Sequence, residues 1–199
     1  MNMEPVFLGD HPAIDFLNTA FAPRGEPVDV ITDGRSLLDW LVHAGLVTES
    51  AAARLKRRVS TERLDAAASA ARDMRTWAKA WITRWRRDPE ADYSAELRRL
   101  NAWLQRGATS REVVDEHGRL HLAERVRLDS ADDLLAVVAT SLAELVTGED
   151  PTYIKSCAGS DCTLWFLDRT KGHRRLFCSA SACGNRAKVA AFRARHAGP

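Results

Sequence analysis

Four cysteines carry the clearest chemical signal in the sequence. They form two close pairs with the spacing C-x4-C-x15-C-x4-C, at Cys157, Cys162, Cys178 and Cys183. Two such pairs, separated by a gap that can hold a hairpin, are typical of a tetrahedral zinc site. Cysteine is absent from the first 156 residues, which makes chance clustering improbable. A redox thiol pair or a disulfide is the alternative, and a reducing compartment disfavours it.

The predicted metal is structural. Four thiolates fill the coordination shell of Zn²⁺ and leave no position for water or substrate, so the pattern predicts one structural Zn²⁺ ion. A segment of about 45 residues cannot bury a sufficient core alone, and metal binding worth on the order of 10 kcal/mol is expected to hold it folded. Between the cysteine pairs, the residue pattern predicts a buried strand at 164–167 and its return strand at 174–177.

The charge distribution points to a polyanionic partner for the cysteine-containing segment. The chain has 199 residues and a formal net charge of +2. Residues 151–199 hold nine Lys and Arg against two acidic residues, or +7, and residues 1–150 hold 20 basic and 25 acidic residues, or −5. Because this asymmetry favours nucleic acid, we predict that cations of the tail contact phosphate. The predicted set is Lys171, Arg174, Arg175, Arg186, Lys188, Arg193 and Arg195.

The last of these cations belong to a predicted helix that extends from Cys183 to His196. Val189 and Phe192 share a stripe with Asn185 and His196, and we expect this stripe to pack on the zinc hairpin. The opposite face is rich in alanine and bordered by cations, which would let the helix approach a nucleic-acid groove closely. Alternatively, alanine serves here only as a good helix former, and the cations form a solvated face.

Apolar periodicity, caps and breakers predict a mainly helical body before this segment. A change of period after residue 111 predicts a β-hairpin that turns at Gly118. Together with the cysteines, these elements indicate an α+β fold: a mainly helical N-terminal domain with a small β-hairpin, and a C-terminal treble-clef-like zinc finger with four cysteine ligands. The helix stop and the charge reversal at 148–151 predict domains at 1–150 and 151–199. Two predicted helices begin at Pro12 and at Thr48. The others span 33–45, 61–87, 94–107 and 130–148.

Two groups of residues in the helical body are candidates for a small-molecule pocket. Trp77 and Trp81 lie four residues apart on the long helix and could line a pocket, although core packing is the simpler explanation. Asp15 and Asn18 are polar residues in an apolar segment, and burial would require partners for them. They would contact a ligand or cap neighbouring backbone groups.

Several classes of protein are disfavoured. With 45% hydrophobic and 28% charged residues, the composition is that of a soluble globular protein, and no apolar run approaches the roughly 20 residues of a membrane span. No secretory signal pattern is present, so we expect a cytoplasmic protein. Asp10, His11 and Asp15 could form an acid–base cluster, but no nucleophile elbow or phosphate-binding glycine loop accompanies them. We therefore do not expect an enzyme.

Motifs at both ends of the sequence resemble a known family. The run Cys183-Gly184-Asn185-Arg186, with Cys178 and the earlier cysteine pair, resembles the CGNR zinc finger. The segment 9–19, GDHPAIDFLNT, resembles the opening of the ABATE domain that precedes this finger in bacterial proteins. One departure is Phe177, where these fingers commonly have tryptophan.

The resemblance implies a stress-induced transcription regulator that binds DNA through its finger and has a regulatory N-terminal domain. It places the metal ligands on the four cysteines and the signature arginine pair on Arg174 and Arg175. The N-terminal domain would then sense a small effector, and the finger would transmit the result. A zinc-stabilised interaction module, including a homodimer, and an RNA-binding protein remain the alternatives.

Overall fold

The computed structural model describes residues 6–22, 25–107 and 109–196, with the side chains of 124–126 excepted. Over these residues the chain is mainly helical and carries three antiparallel strand pairs: β1 with β2, β3 with β4, and β5 with β6. The helices are α1 (Pro12–Leu17), α2 (Gly34–His43), α3 (Glu49–Arg58), α4 (Thr61–Trp85), α5 (Ser94–Leu104), α6 (Asp133–Gly148) and α7 (Asn185–His196). The strands are β1 (Ala20–Phe21), β2 (Val28–Asp29), β3 (Thr109–Glu116), β4 (Arg119–Val126), β5 (Ile154–Ser156) and β6 (Trp165–Leu167).

The caps explain where the predicted helices begin. Asp33 accepts a hydrogen bond from the backbone N–H of Ser36 at 2.8 Å, and the Ser36 hydroxyl accepts one from the backbone of Asp33 at 2.9 Å. This reciprocal pair is a capping box for α2. Thr48 caps α3 through Ala51 at 3.2 Å. Each cap satisfies a backbone donor that the first helical turn leaves free.

The helices α1, α2, α4 and α6 enclose one hydrophobic core. α6 contributes most of its length, because ten of its residues are buried, including Leu134, Val138 and Leu142. Trp40 and Phe16 are both almost fully buried, and their ring centroids lie 5.8 Å apart. The apolar residues whose periodicity predicted these helices therefore face the interior.

The predicted hairpin is present, and its turn at Gly118 has a φ of +79°. Val113 pairs with Leu122 across the strands. Val113, Leu120 and Leu122 nevertheless remain 67%, 74% and 69% exposed. The apolar alternation thus marks a solvent-facing surface of this hairpin.

The strand pair of the C-terminal segment differs from the predicted one. β6 pairs with β5, so Lys155 lies opposite Phe166. The prediction of a return strand at 174–177 is wrong, because this stretch is irregular. Its Arg175 N–H donates to the carboxylate of Asp168 at 2.9 Å instead of to a strand partner.

The C-terminal segment packs against the helical body. Ile154 and Leu167 belong to the same buried cluster as the helices, and the backbone N–H of Leu167 donates to the carbonyl of Gly9 at 2.8 Å. Among the described residues, none of the helices is both long and apolar enough to cross a membrane.

Candidate metal centre and basic helix

The structure brings the four cysteines together. The Sγ atoms of Cys157, Cys162, Cys178 and Cys183 all lie within 4.8 Å of one another. Cys178 Sγ lies 3.8 Å from Cys162 Sγ and 3.6 Å from Cys183 Sγ. A tetrahedron with Zn–S bonds of about 2.3 Å has S–S edges of about 3.8 Å. The cluster is therefore a zinc-finger-like site whose size fits Zn²⁺.

The backbone around the thiols supports the same interpretation. The N–H groups of Cys178 and Gly159 point at Cys157 Sγ from 3.3 and 3.5 Å, and such donors stabilise thiolate charge. A Cβ atom added to Gly159 would lie 3.3 Å from Cys162 Cβ and 3.5 Å from Cys183 Sγ. Glycine thus lets the first cysteine turn close tightly around the cluster.

A single turn positions the last cysteine and starts α7. Ala180–Gly184 has π-helical hydrogen bonding, and the Gly184 N–H donates to the carbonyl of Ser179 at 2.9 Å. The Ser179 hydroxyl caps the turn through the N–H of Ala182 at 3.2 Å. This turn aims Cys183 at the cluster and directs the following helix away from it.

Asp168 organises the loop between the cysteine pairs. Its side chain is fully buried and accepts hydrogen bonds from Lys155 Nζ at 2.7 Å and from the Thr170 hydroxyl at 2.5 Å. Burial raises the pKa of Asp168, but the hydrogen bonds from Lys155, Thr170 and the Arg175 N–H outweigh it and hold the pKa well below its usual range. Lys155 Nζ also donates to the carbonyl of His173 at 2.5 Å. The carboxylate stays charged and fixes the loop.

Arg175 links this loop to the helical body. Its guanidinium donates to the carbonyls of Phe177 at 2.9 Å and Cys178 at 2.5 Å, and to the carboxylate of Asp10. The guanidinium carbon lies 4.3 Å from the centroid of Phe166. These intramolecular partners occupy the donors that a phosphate would use.

Asn18 joins the helical body to the finger, and Asp15 holds the backbone segment before α1. The Asn18 amide pairs with the backbone of Trp165 in both directions, donating to its carbonyl and accepting from its N–H, each at 2.8 Å. Asp15 accepts a hydrogen bond from the Gly9 N–H at 2.7 Å. Burial raises the pKa of Asp15 to about 6, against the opposing effect of the backbone hydrogen bonds from Gly9 and Leu8. In this structure the side chains of Asp15 and Asn18 are thus hydrogen-bonded to backbone groups.

Trp77 and Trp81 pack in the body. Their ring centroids lie 5.2 Å apart, and Trp103 meets Trp77 edge-on at 4.9 Å. Trp81 is buried, and its indole N–H has no hydrogen-bond partner among the described residues. The four predicted pocket residues thus form two groups, with Asp15 and Asn18 on and after α1 and Trp77 and Trp81 on α4.

α7 extends from the zinc-binding turn without burying any residue. The prediction that its apolar stripe packs on the zinc hairpin is wrong, since Val189 is 41% and Phe192 is 56% exposed. Phe192 instead stacks on His196, with ring centroids 4.1 Å apart. The stripe stays exposed because the turn Ala180–Gly184 directs α7 away from the zinc hairpin, and this turn is the main packing neighbour of the helix.

The cations of the helix therefore face solvent. Arg186 is 2.9 Å from Cys183 Sγ, and the side chains of Lys188, Arg193 and Arg195 have no partner within the described part of the chain. Lys171 and Arg174, in the loop before Cys178, are likewise exposed. Five of the seven predicted phosphate contacts are thus exposed without a side-chain partner among the described residues, whereas Arg175 and Arg186 have intramolecular partners.

Sequence reasoning missed Asp168 and Lys155 as an organising pair. Lys155 lies on β5, and Asp168 follows the end of β6, 13 positions later. Their spacing alone does not predict that they meet. A charged residue directly after the apolar run Trp165–Leu167 was the available signal, because a carboxylate at the end of a buried strand requires partners.

Comparison with family models matches nearly the whole chain. The model for the ABATE family, described as "putative stress-induced transcription regulator", matches residues 10–149. The model for the CGNR zinc finger matches residues 153–196. No curated protein matches the chain significantly. The two matched ranges agree with the helical body and with the segment that carries the cysteine cluster.

Proposed function

The chain belongs to the ABATE family and carries a CGNR zinc finger, and from this premise we propose that it regulates transcription by binding duplex DNA through α7. The helical body at 1–150 is the regulatory domain of this proposal, and the finger at 151–199 is the DNA-binding domain. The proposal places the protein in the cytoplasm with the DNA.

The exposed, cation-rich surface of α7 carries the proposal. Four cations project from twelve residues that include no acidic residue, and Ala190, Ala191 and Ala194 of the alanine face are exposed together with them. A smooth helix with cations on both borders fits a nucleic-acid groove, where guanidinium and ammonium groups reach phosphates on either side. The cations are Arg186, Lys188, Arg193 and Arg195.

One Zn²⁺ ion would support this surface without contacting DNA. Cys157, Cys162, Cys178 and Cys183 would supply four thiolates, which leave no exchangeable position on the metal. The metal then fixes the turn that starts α7. Lys171 and Arg174 lie in the loop before Cys178 and would add phosphate contacts. Arg175 would instead stabilise the structure of this loop.

A protein-binding function is the second candidate, and Phe192 favours it. A phenylalanine that is 56% exposed on a helix is a typical anchor for a partner helix or a second copy of the chain. In that case α7 would mediate homodimerisation, and its cations would dock on an acidic surface. RNA would be the third candidate, since nothing in α7 discriminates the sugar.

The test is binding of the zinc-loaded full chain to a fluorescent random duplex pool at low salt. We expect saturable binding whose affinity falls steeply with salt, because phosphate contacts release counterions. The triple variant K188E/R193E/R195E should lose at least about a hundredfold in affinity. R35E/R54E/R57E is the matched control, with equal charge change on exposed residues of α2 and α3, and should retain most of the binding.

The outcomes separate the candidates. Absence of duplex binding at low salt, or equal losses in the two triple variants, contradicts the proposal. Loss of a dimer in Phe192→Ala, measured by sedimentation with DNA affinity intact, supports the protein-binding function. A preference for single-stranded or double-stranded RNA over duplex DNA supports the third candidate.

A further inference from the structure

A groove of about 430 Å³ lies where the end of α4 meets the first strand of the finger. The helical body contributes Arg86 and Arg87, and the finger contributes Lys155, Ser156 and Trp165. Among the described residues, the lining holds three cations and no carboxylate. A ligand seated here would touch both segments of the molecule at once.

Two of the three cations have no balancing acid. Lys155 is paired with Asp168 at 2.7 Å. Arg86 donates to the Ser156 hydroxyl at 3.3 Å and lies 5.0 Å from the centroid of Trp165. The Arg87 side chain is exposed and has no hydrogen bond or ion pair with any side chain that the structure describes. The groove therefore carries an uncompensated charge of about +2.

The two arginines also oppose each other. Burial lowers the pKa of Arg86, and repulsion by the neighbouring Arg87 lowers it further. An anion between the guanidiniums would remove this repulsion and satisfy their donors. Guanidinium groups bind phosphate oxygens in pairs, and the Ser156 hydroxyl still has a proton to donate.

A second groove shows that this charge arrangement is specific. The groove between α2, α3 and α4, of about 590 Å³, contains Asp33 and Asp65 as well as Arg35 and Lys56. Its two acids balance its two bases, so it offers no net attraction to an anion. The two grooves are of comparable size, and they differ in the net charge of the residues that line them.

We propose that the groove between α4 and β5 binds a small phosphorylated ligand, with Arg86 and Arg87 on its phosphate. Its volume is in the range of small-molecule sites, roughly 300 to 1,000 Å³. Because the ligand would bridge the helical body and the finger, its binding energy would favour one arrangement of the two. The inference deepens the effector-sensing part of the proposed function and rests on it for its regulatory meaning.

Titration calorimetry of the zinc-loaded full chain with inorganic pyrophosphate tests the site directly, in the absence of DNA. We expect saturable binding of one pyrophosphate per chain, with the zinc content unchanged afterwards. Arg87→Glu should weaken it at least about tenfold. Arg35→Glu is the control, because it makes the same charge change in the balanced groove, and it should leave the affinity within about twofold.

Three results would overturn the inference. They are an absence of saturable heat at millimolar pyrophosphate, an equal weakening in Arg35→Glu, and, in a separate competition titration, full displacement of pyrophosphate by duplex DNA together with a comparable loss of DNA affinity in Arg87→Glu. The last result would make the groove part of the nucleic-acid surface. Since the titration contains no DNA, a failure of DNA binding by α7 leaves a positive result intact.

Discussion

The segment from β5 to Cys178 and the helix α7 are both rich in cations, but several cations of the segment are engaged internally, whereas most of those in the helix face solvent. In the loop and its strands, Lys155 is tied to Asp168 and Arg175 to Asp10. In α7, the side chains of Arg193 and Arg195 reach solvent without a partner among the described residues. The net charge of the segment therefore overstates its binding surface, because part of it holds the finger to the body.

The largest effect should come from removing the metal. Without Zn²⁺ the four thiols lose their shared ligand, and binding free energy on the order of 10 kcal/mol is lost from the finger. We expect chelation to abolish hydrogen-exchange protection at Leu164 and Phe166, and the helical body to keep its protected amides. Restored protection on adding Zn²⁺ is the control. Unchanged protection in the metal-free chain would contradict the account.

Asp168→Ala should be the next most damaging change. The substitution leaves the Lys155 ammonium without its buried counter-charge and frees the loop, at a cost of about 3 to 5 kcal/mol. Urea unfolding of the zinc-loaded protein measures it. Asp161→Ala is the matched control on an exposed aspartate, expected within about 0.5 kcal/mol of the parent. Equal stabilities of the two variants would mean that Asp168 does not organise the loop.

Asn18→Ala tests the junction between the two segments. It leaves the N–H and C=O of Trp165 without partners, so the free energy of unfolding should fall by about 2 to 3 kcal/mol. Asn101→Ala, on the exposed side of α5, should change stability by less than about 0.5 kcal/mol. An unchanged unfolding midpoint for Asn18→Ala would mean that the Asn18 amide does not stabilise the junction, and would favour ligand contact as its role instead.

Asp15→Asn should have a smaller, pH-dependent effect of opposite sign. Because the pKa of Asp15 is raised to about 6 in the folded state, the protonated form favours folding, and this contribution is lost as pH rises from about 4 toward 6. Asparagine keeps an acceptor for the Gly9 N–H without the charge. The variant should therefore exceed the parent by about 2 kcal/mol at pH 7 and match it near pH 4.

Paired urea unfolding curves at the two pH values check this sign. Burial lowers the pKa of His11, which adds a slope of the opposite direction, but it enters both proteins equally and cancels in their difference. A constant stability difference between pH 4 and pH 7 would contradict the assignment of the raised pKa to Asp15.

Local signals in the sequence predicted most of the helices and the cysteine cluster. Asp33 and Thr48 mark helix starts by a mechanism that acts within three residues, and the cysteine spacing reflects the two tight turns that a tetrahedral metal needs. The hairpin at Gly118 is local in the same sense. These features could be predicted because their causes lie close together in the chain.

The wrong or missing predictions involve distant partners. Asn18 pairs with Trp165, 147 positions away, and Arg175 reaches Asp10, 165 positions away. No periodicity encodes such pairs. The apolar stripe of α7 was expected to pack because Val189 and Phe192 have helical spacing, but spacing does not determine the direction in which the preceding turn sends the helix.

The most direct test of the two uses of cations compares Arg175→Ala with the double variant R193A/R195A in unfolding and in duplex binding. We expect Arg175→Ala to lower the free energy of unfolding by about 2 kcal/mol or more and to leave the duplex affinity of the folded protein nearly unchanged. R193A/R195A should lose at least about tenfold in affinity with stability within about 0.5 kcal/mol. The reverse pattern, or equal effects of the two variants on both quantities, would contradict this expectation.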